Sequence, residues 1–240
     1  TPPVTLAPEA LARIEEYTLK LAEAIGVVGL INVQYVVRGD DVLVVEANPR
    51  ASRTIPYLSK AVGVPLAKLA ALVSAGRSLV ELGFTVTPRP RHYSVKEVVL
   101  PFLKFAGVAP FLGPEMRSTG ESMGIDEDPY LAYYRAALGA GAELPRSGRV
   151  RLIGDGLAEL GVELTGLGFE VARGPLAPGV EPDYRLLVDV ERTSEPRRAL
   201  ENGVPYVTTL QAARWTVRAM AAAAAARADG PLPVRALQDL

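Results

Sequence analysis

Val42-Leu43-Val44-Val45-Glu46-Ala47-Asn48-Pro49-Arg50 is an apolar run that ends in polar chemistry. Residues two apart on a strand share a face, so the Glu46 carboxylate and the Asn48 carboxamide point the same way and can reach one hard cation. Pro49 then stops the strand. Arg50 and Arg53 follow at once and place fixed positive charge beside the expected metal. A guanidinium braces a phosphoryl oxygen bidentately and stabilises charge that develops during transfer. These residues suit a site for magnesium and the phosphates of a nucleotide. The competing reading is an edge hairpin with ordinary polar side chains and surface arginines.

Upstream, residues 29–37 read as a strand, Gly39-Asp40-Asp41 as a turn, and 42–47 as the antiparallel return. A three-residue loop at 39–41 puts Val36 near Val44, Gln34 opposite Glu46 and Asn32 opposite Asn48. Directly opposed residues share a face. Four oxygen-bearing side chains, Asn32, Gln34, Glu46 and Asn48, then meet at one end of a sheet otherwise made of Val, Ile, Leu and Tyr. Leu11, Ile14, Leu21 and Ile25 recur at helical spacing and predict a helix over 10–25, ended by Gly26.

Downstream, 64–75 reads as a short helix with Pro65 in its first turn and Gly76 as terminator. Two prolines make 85–91 a connector, and 93–100 is a strand closed by Pro101. The stretch 107–124, rich in proline and glycine, reads as poor in regular structure. A helix over 130–138 leads to Gly139-Ala140-Gly141, a boundary signal. Beyond it come strand 149–153, helix 157–167, strands 169–172 and 184–190, helix 196–202, strand 206–208 and helix 212–228. This alternation predicts a small, mostly parallel α/β domain. The chain is therefore expected to be α/β overall: an α+β part with an antiparallel sheet over 1–139, then the parallel domain over 140–240.

Composition narrows the function. The 240 residues carry 26 basic and 27 acidic side chains, a net charge of -1, so there is no electrostatic footprint for nucleic acid or an anionic membrane. With no cysteine and one histidine, His92, thiolate sites, disulfides, histidine metal clusters and serine triads are disfavoured. No apolar run reaches the roughly 20 residues of a membrane span. The chain is expected to be cytoplasmic. It opens on Thr1 and two prolines, which reads as a piece of a longer chain.

Three stretches resemble a known family: Gly29-Leu30-Ile31-Asn32-Val33-Gln34, then Glu46 to Thr54, then Ser59-Lys60-Ala61-Val62-Gly63-Val64-Pro65-Leu66-Ala67. They are similar to the second ATP-grasp half of carbamoyl-phosphate synthetase large chains. Tyr93-Ser94-Val95-Lys96-Glu97-Val98-Val99-Leu100-Pro101-Phe102 and Leu112-Gly113-Pro114-Glu115-Met116-Arg117-Ser118-Thr119-Gly120-Glu121 match the same family. The resemblance is strong over 2–124 and weak beyond.

It implies that Gln34, Glu46 and Asn48 are metal ligands with Asn32 beside them, and that Arg50 and Arg53 surround the transferred phosphate. The implied reaction is phosphorylation of carbamate by ATP, the last step in making carbamoyl phosphate for pyrimidines and arginine. The implied partners are a small glutaminase subunit and the N-terminal part of the large chain. That part carries the family's glycine-rich loop and phosphate-binding lysine, so the 240 residues alone are expected not to turn over ATP.

The resemblance further implies that Glu97 helps bind an activating amino acid near the join to a regulatory domain, with Thr208 contributing from the other side. The region 140–240 takes the place of the family's methylglyoxal-synthase-like effector domain. Where the family holds an effector's phosphate with Thr-x-Gly-Thr and Asn-Thr-Thr, this chain has Ala172-Arg173-Gly174-Pro175 and Val188-Asp189-Val190. Loss of hydroxyl donors and the nearby Asp189 predict a weakened anion site. Arg173 or the Gly154-Asp155-Gly156 turn is the candidate for a rebuilt pocket. Two other readings are a non-catalytic regulatory module and a different ATP-grasp ligase, such as a biotin carboxylase, which shares Glu-x-Asn but not the 93–121 matches.

Overall fold

The structure, a computed structural model, describes residues 1–104, 108–113, 119–177, 179–228, 230–234 and 236. The chain divides into two compact units, Thr1–Arg91 and His92–Leu240.

In the first unit, α1 (Pro8–Ile25) starts with proline in its first turn and ends on Gly26, whose φ of 72° supplies the left-handed cap. Next comes an antiparallel hairpin, β1 (Asn32–Arg38) and β2 (Asp41–Asn48). Arg38 pairs with Asp41, so the loop is the two residues Gly39-Asp40, not the expected three. Val36 accordingly faces Leu43 rather than Val44. A two-residue loop with a regular ladder would set Gln34 against Val45. One extra residue on β2 shifts the register between Gln34 and Tyr35, so Gln34 does pair with Glu46 and Asn32 with Asn48. The expected juxtaposition holds because a bulge, not the turn, supplies the offset.

The face with Tyr35 and Val42 packs on α1, where the Tyr35 hydroxyl lies 2.7 Å from Thr18 Oγ1 and Val42 is buried. After β2 come α2 (Thr54–Val62) and α3 (Leu66–Ser74). Helix α2 had no counterpart among the expected elements. Its Pro56 sits in the first turn, where a missing N–H leaves no helical bond unmade.

The second unit opens with β3 (Tyr93–Val99), a short 3-10 turn at Phe102–Lys104, β4 (Gly120–Asp126) and α4 (Pro129–Gly139). Strand β4 pairs with β3 without a break from Tyr93↔Asp126 to Val99↔Gly120. Residues 120–124 are thus regular strand, against the expectation of irregular chain over 107–124. Glycine disguised them: at Gly124 a β-carbon would come 2.0 Å from the Ala132 carbonyl and 2.4 Å from the Ala136 amide, so only glycine lets β4 approach α4. Residues 105–107 and 114–118, with half of the Leu112–Glu121 match, lie outside the described residues.

The rest follows the expected alternation: β5 (Arg149–Ile153), α5 (Ala158–Gly166), β6 (Glu170–Arg173), β7 (Leu186–Asp189), α6 (Glu195–Glu201), β8 (Tyr206–Val207) and α7 (Leu210–Ala226). The four strands form one parallel sheet in the order β6-β5-β7-β8. Its main core joins Val150, Leu152, Leu186 and Val188 to α4, α5 and α7 through Tyr134, Leu160, Leu164, Val217 and Met220. A smaller core of Ile153, Tyr184, Leu187 and Ala199 lies beneath α6. Among the described residues no single helix is long and apolar enough to cross a membrane.

Candidate functional site

The ladder of the first unit brings Asn32, Gln34, Glu46 and Asn48 onto one face of the hairpin. Glu46 and Gln34 are exposed, and Asn32 and Asn48 half-buried. Asn48 Nδ2 donates to Glu46 Oε1 at 2.8 Å, which holds the carboxylate against the strand end. The chain turns at once: the Arg50 amide donates to the Asn48 carbonyl at 2.8 Å, and Arg50 Nη1 to the Ala51 carbonyl at 3.0 Å. Arg53 is the N-cap residue of α2 in a helical conformation.

The donors on this face are one carboxylate and three carboxamides. That set is hard, oxygen-only and singly charged, and fits magnesium that draws its remaining ligands from water and phosphate. Among the described residues no group of three or more His, Cys, Asp or Glu side chains could hold a metal without such help. For Asn48 to offer its oxygen to a cation on Glu46, its amide must release the carboxylate and turn over.

A second site lies in the second unit. A cavity of about 1040 Å³ is walled by the end of β3, the 102–104 turn, α4, β8 and the start of α7. Glu97 and Thr208, which the resemblance puts on opposite sides of one site, both line it. Burial holds the Glu97 carboxyl above the usual range for glutamate. Tyr133, also on the wall, is pushed up chiefly by burial, with a smaller push from the Glu97 charge, and its hydroxyl is 3.3 Å from Thr216 Oγ1. The neighbouring Thr209 uses its hydroxyl to cap α7, accepting from the Ala212 amide at 3.2 Å. Sequence reasoning missed Tyr133 and Arg192 on this wall. Tyr133 sits in a helix whose apolar pattern reads as core, and Arg192 in a loop with no motif.

At the C-terminal ends of the parallel strands, where open α/β sheets bind ligands, the space is filled from within. Asp189 is fully buried and accepts from the Glu191 amide at 3.0 Å, the Thr193 amide at 2.8 Å and Thr193 Oγ1 at 2.7 Å. Val190 and Glu191 lie over Gly154, where a β-carbon would meet Val190 Cγ2 at 2.4 Å. Arg173 Nη2 covers α5, 2.8 Å from a β-carbon built on Gly161.

Residues 1–82 match the family described as carbamoyl-phosphate synthase L chain, ATP binding domain, which makes the first unit a piece of an ATP-grasp domain. Over 239 residues, 99% of this chain and 22% of the relative, it is 54% identical to the carbamoyl phosphate synthase large chain of Thermus thermophilus. It is 54% identical over 238 residues to that of Deinococcus radiodurans, covering 99% of this chain and 23% of the relative. With a large chain from Methanosarcina barkeri the identity is 42% over 251 residues, 88% of this chain and 63% of the relative. The chain belongs to the carbamoyl phosphate synthase large-chain family and corresponds to its C-terminal part. It spans less than a quarter of the Thermus and Deinococcus relatives.

Proposed function

We propose that this chain supplies one wall of the active site that phosphorylates carbamate with ATP in a glutamine-dependent carbamoyl phosphate synthase, a cytoplasmic enzyme of pyrimidine and arginine synthesis. The observation that carries the reading is the bulged register, which stacks Gln34 on Glu46 and Asn32 on Asn48 beside Arg50. Residues 1–139 are the end of the ATP-grasp domain and 140–240 the regulatory domain. The remaining N-terminal part of the large chain and the small glutaminase subunit are the partners. The packing boundary at 91/92 lies within the first of these functional regions.

Gln34, Glu46 and Asn48 would hold magnesium or manganese, with Asn32 adjacent; the cation would supply positive charge against the ATP phosphates. Arg50 and Arg53 brace the phosphoryl oxygens as the carbamate oxygen bonds to the γ-phosphorus and the bond to ADP breaks. Glu46→Gln in the full-length enzyme keeps the shape and removes one ligand charge. Its carbamate phosphorylation is expected to fall about 100-fold or more, the scale of losing one preorganised electrostatic contact. Unchanged magnesium-dependent activity would refute the assignment.

The cavity of Glu97 and Thr208 is the place for a small amino-acid regulator. Nucleotide control is weak in this reading, because Asp189 takes the loop amides that would otherwise meet a phosphate. Titration of the full enzyme with uridine monophosphate is expected to give no tight inhibition.

A further inference from the structure

Strand β2 carries one residue more than its pairing with β1 uses. From the turn, Arg38↔Asp41, Val37↔Val42, Val36↔Leu43 and Tyr35↔Val44 form an unbroken ladder; Val45 then has no partner, and Gln34↔Glu46, Val33↔Ala47 and Asn32↔Asn48 resume beyond it. A ladder continued without the break would set Glu46 opposite Val33, on the side that packs on α1, since a slip of one residue turns every side chain to the other face. With Val45 present, the bulge keeps Glu46 facing Gln34.

The pairing alone gives no reason for Val45 to be present. Were it absent, Glu46 would follow Val44 directly, and every pair from Arg38↔Asp41 to Asn32↔Asn48 would be kept in a regular ladder. Its side chain is 58% exposed, so it is not retained for burial. Nor is it part of a glycine bulge, since Gly39 is the one residue of the hairpin with positive φ. What an extra residue does add to a strand pair is a local bend and a stronger right-handed twist, which aim the side chains beyond it.

The bulge falls at the joint between two parts of the hairpin. On the turn side Tyr35, next to the break, is braced on α1: its hydroxyl lies 2.7 Å from Thr18 Oγ1, which donates to the Ile14 carbonyl at 2.7 Å. On the other side stand Asn32, Gln34, Glu46 and Asn48, with the Asn48 amide holding Glu46. A bend at that joint changes the aim of the polar end relative to the braced end and leaves the pairing as it is.

We infer that the extra place at Val45 is a positioning device: the bulge, braced on α1 through Tyr35 and Thr18, sets the angle at which Gln34, Glu46 and Asn48 meet a cation. The inference rests on the reading of that face as a cation site. The backbone place of Val45 acts, and its side chain does not.

The test uses the full-length large chain with its small subunit, with Val45 deleted. Manganese binding is followed by electron paramagnetic resonance, and the protection of β1 and β2 amides by hydrogen exchange. The manganese held at this face is the part that Glu46→Gln loses. Deletion of Val45 is expected to weaken that part by about tenfold or more, the scale of removing an outer support of a metal ligand. The hairpin amides should stay as protected as in the wild type, because every pair is kept. Val45→Ala keeps the extra place and should bind manganese as the wild type does. Wild-type manganese affinity in the deletion overturns the inference and leaves the cation site standing. Loss of hairpin protection in the deletion also overturns it, because the extra residue would then serve the folding of the hairpin and not its aim. If Glu46→Gln holds manganese as the wild type does, the cation reading and the inference fall together.

Discussion

The hairpin of the first unit leaves Val36 and Leu43 about half exposed, at 50% and 54%, on the face that carries Gln34 and Glu46; the parallel sheet of the second unit holds Val150, Leu152, Leu186 and Val188 at 2% or less. The parallel sheet is covered on both faces, as crossover helices require. Its buried charges are therefore tied to partners. Arg151 reaches the Gly174 carbonyl at 2.8 Å and Asp183 at 3.3 Å, and the Tyr184 hydroxyl and Arg198 both donate to buried Glu195 at 3.0 Å. Such groups are committed to structure, since leaving one partner out would strand a buried charge. On the hairpin face Gln34 and Glu46 are exposed and carry no such debt to burial, and Glu46 Oε1 is held by the neighbouring Asn48 amide at 2.8 Å. The contrast separates the part of the chain that is stable by its own packing from the part that presents chemistry.

The largest effect that could break this contrast is in the closed sheet. Leu152→Ala removes a side chain from the middle of the main core, and should cost about 4 kcal/mol in urea unfolding, as core leucines do. A loss under 1 kcal/mol would mean that the sheet is not the stability centre. Somewhat smaller is Gly124→Ala, where the added methyl meets backbone rather than a yielding side chain. Overpacking of this kind should cost about 3 kcal/mol, read in the same experiment.

Gly124 also shows what could be read in the sequence and what could not. Alternating apolar runs and helices with glycine stops revealed every strand of the parallel sheet, because each element buries a continuous face and writes that burial into its composition. Strand β4 was hidden, since its glycines are there for close approach to α4, and that need is tertiary. Helix α2 was also unread: its Pro56 sits in the first turn, and proline there and proline at a break look alike without the preceding backbone. The pairing of Gln34 with Glu46 was expected from a three-residue loop that the chain does not have. Its cause, a bulge at Val45, was not legible, since no residue type marks that position. Glu97 and Thr208 came from family likeness alone, and their common cavity emerges only when β3 and β8 are placed in space.

A third and smaller effect concerns Glu97, a titrating group between the two regimes. Burial raises its folded pKa above the ordinary 4.5. The protonated form therefore favours the folded chain: its stabilisation is fully present below the unfolded value and is lost as pH rises through the folded one. Glu97→Gln cannot lose that term. The melting temperature of Glu97→Gln should thus match the wild type below about pH 4, pull ahead as pH rises from 4.5 through the raised pKa, and hold that lead without further growth above it. A constant offset between the two curves would show that the carboxyl titrates as a solvent-exposed one.

The smallest expected effect is the sharpest test of what the open hairpin is for. Leu43→Ala within these 240 residues removes methyl groups that already face water, so stability should change by no more than about 0.5 kcal/mol. In the full-length enzyme, a wall of a nucleotide site must have a facing part, and apolar side chains on that face would then be removed from water. The same substitution should there cost about 1 to 2 kcal/mol, the transfer term for the atoms lost. Leu152→Ala has no such dependence on context, because its neighbours lie within the second unit. Equal small losses for Leu43→Ala in both settings would leave the hairpin face open in the whole enzyme, and would argue that Gln34, Glu46 and Asn48 act at a solvent-exposed surface. A loss confined to the full-length protein would identify this face as one half of a closed site, with the oxygens of the hairpin directed at whatever the other half holds.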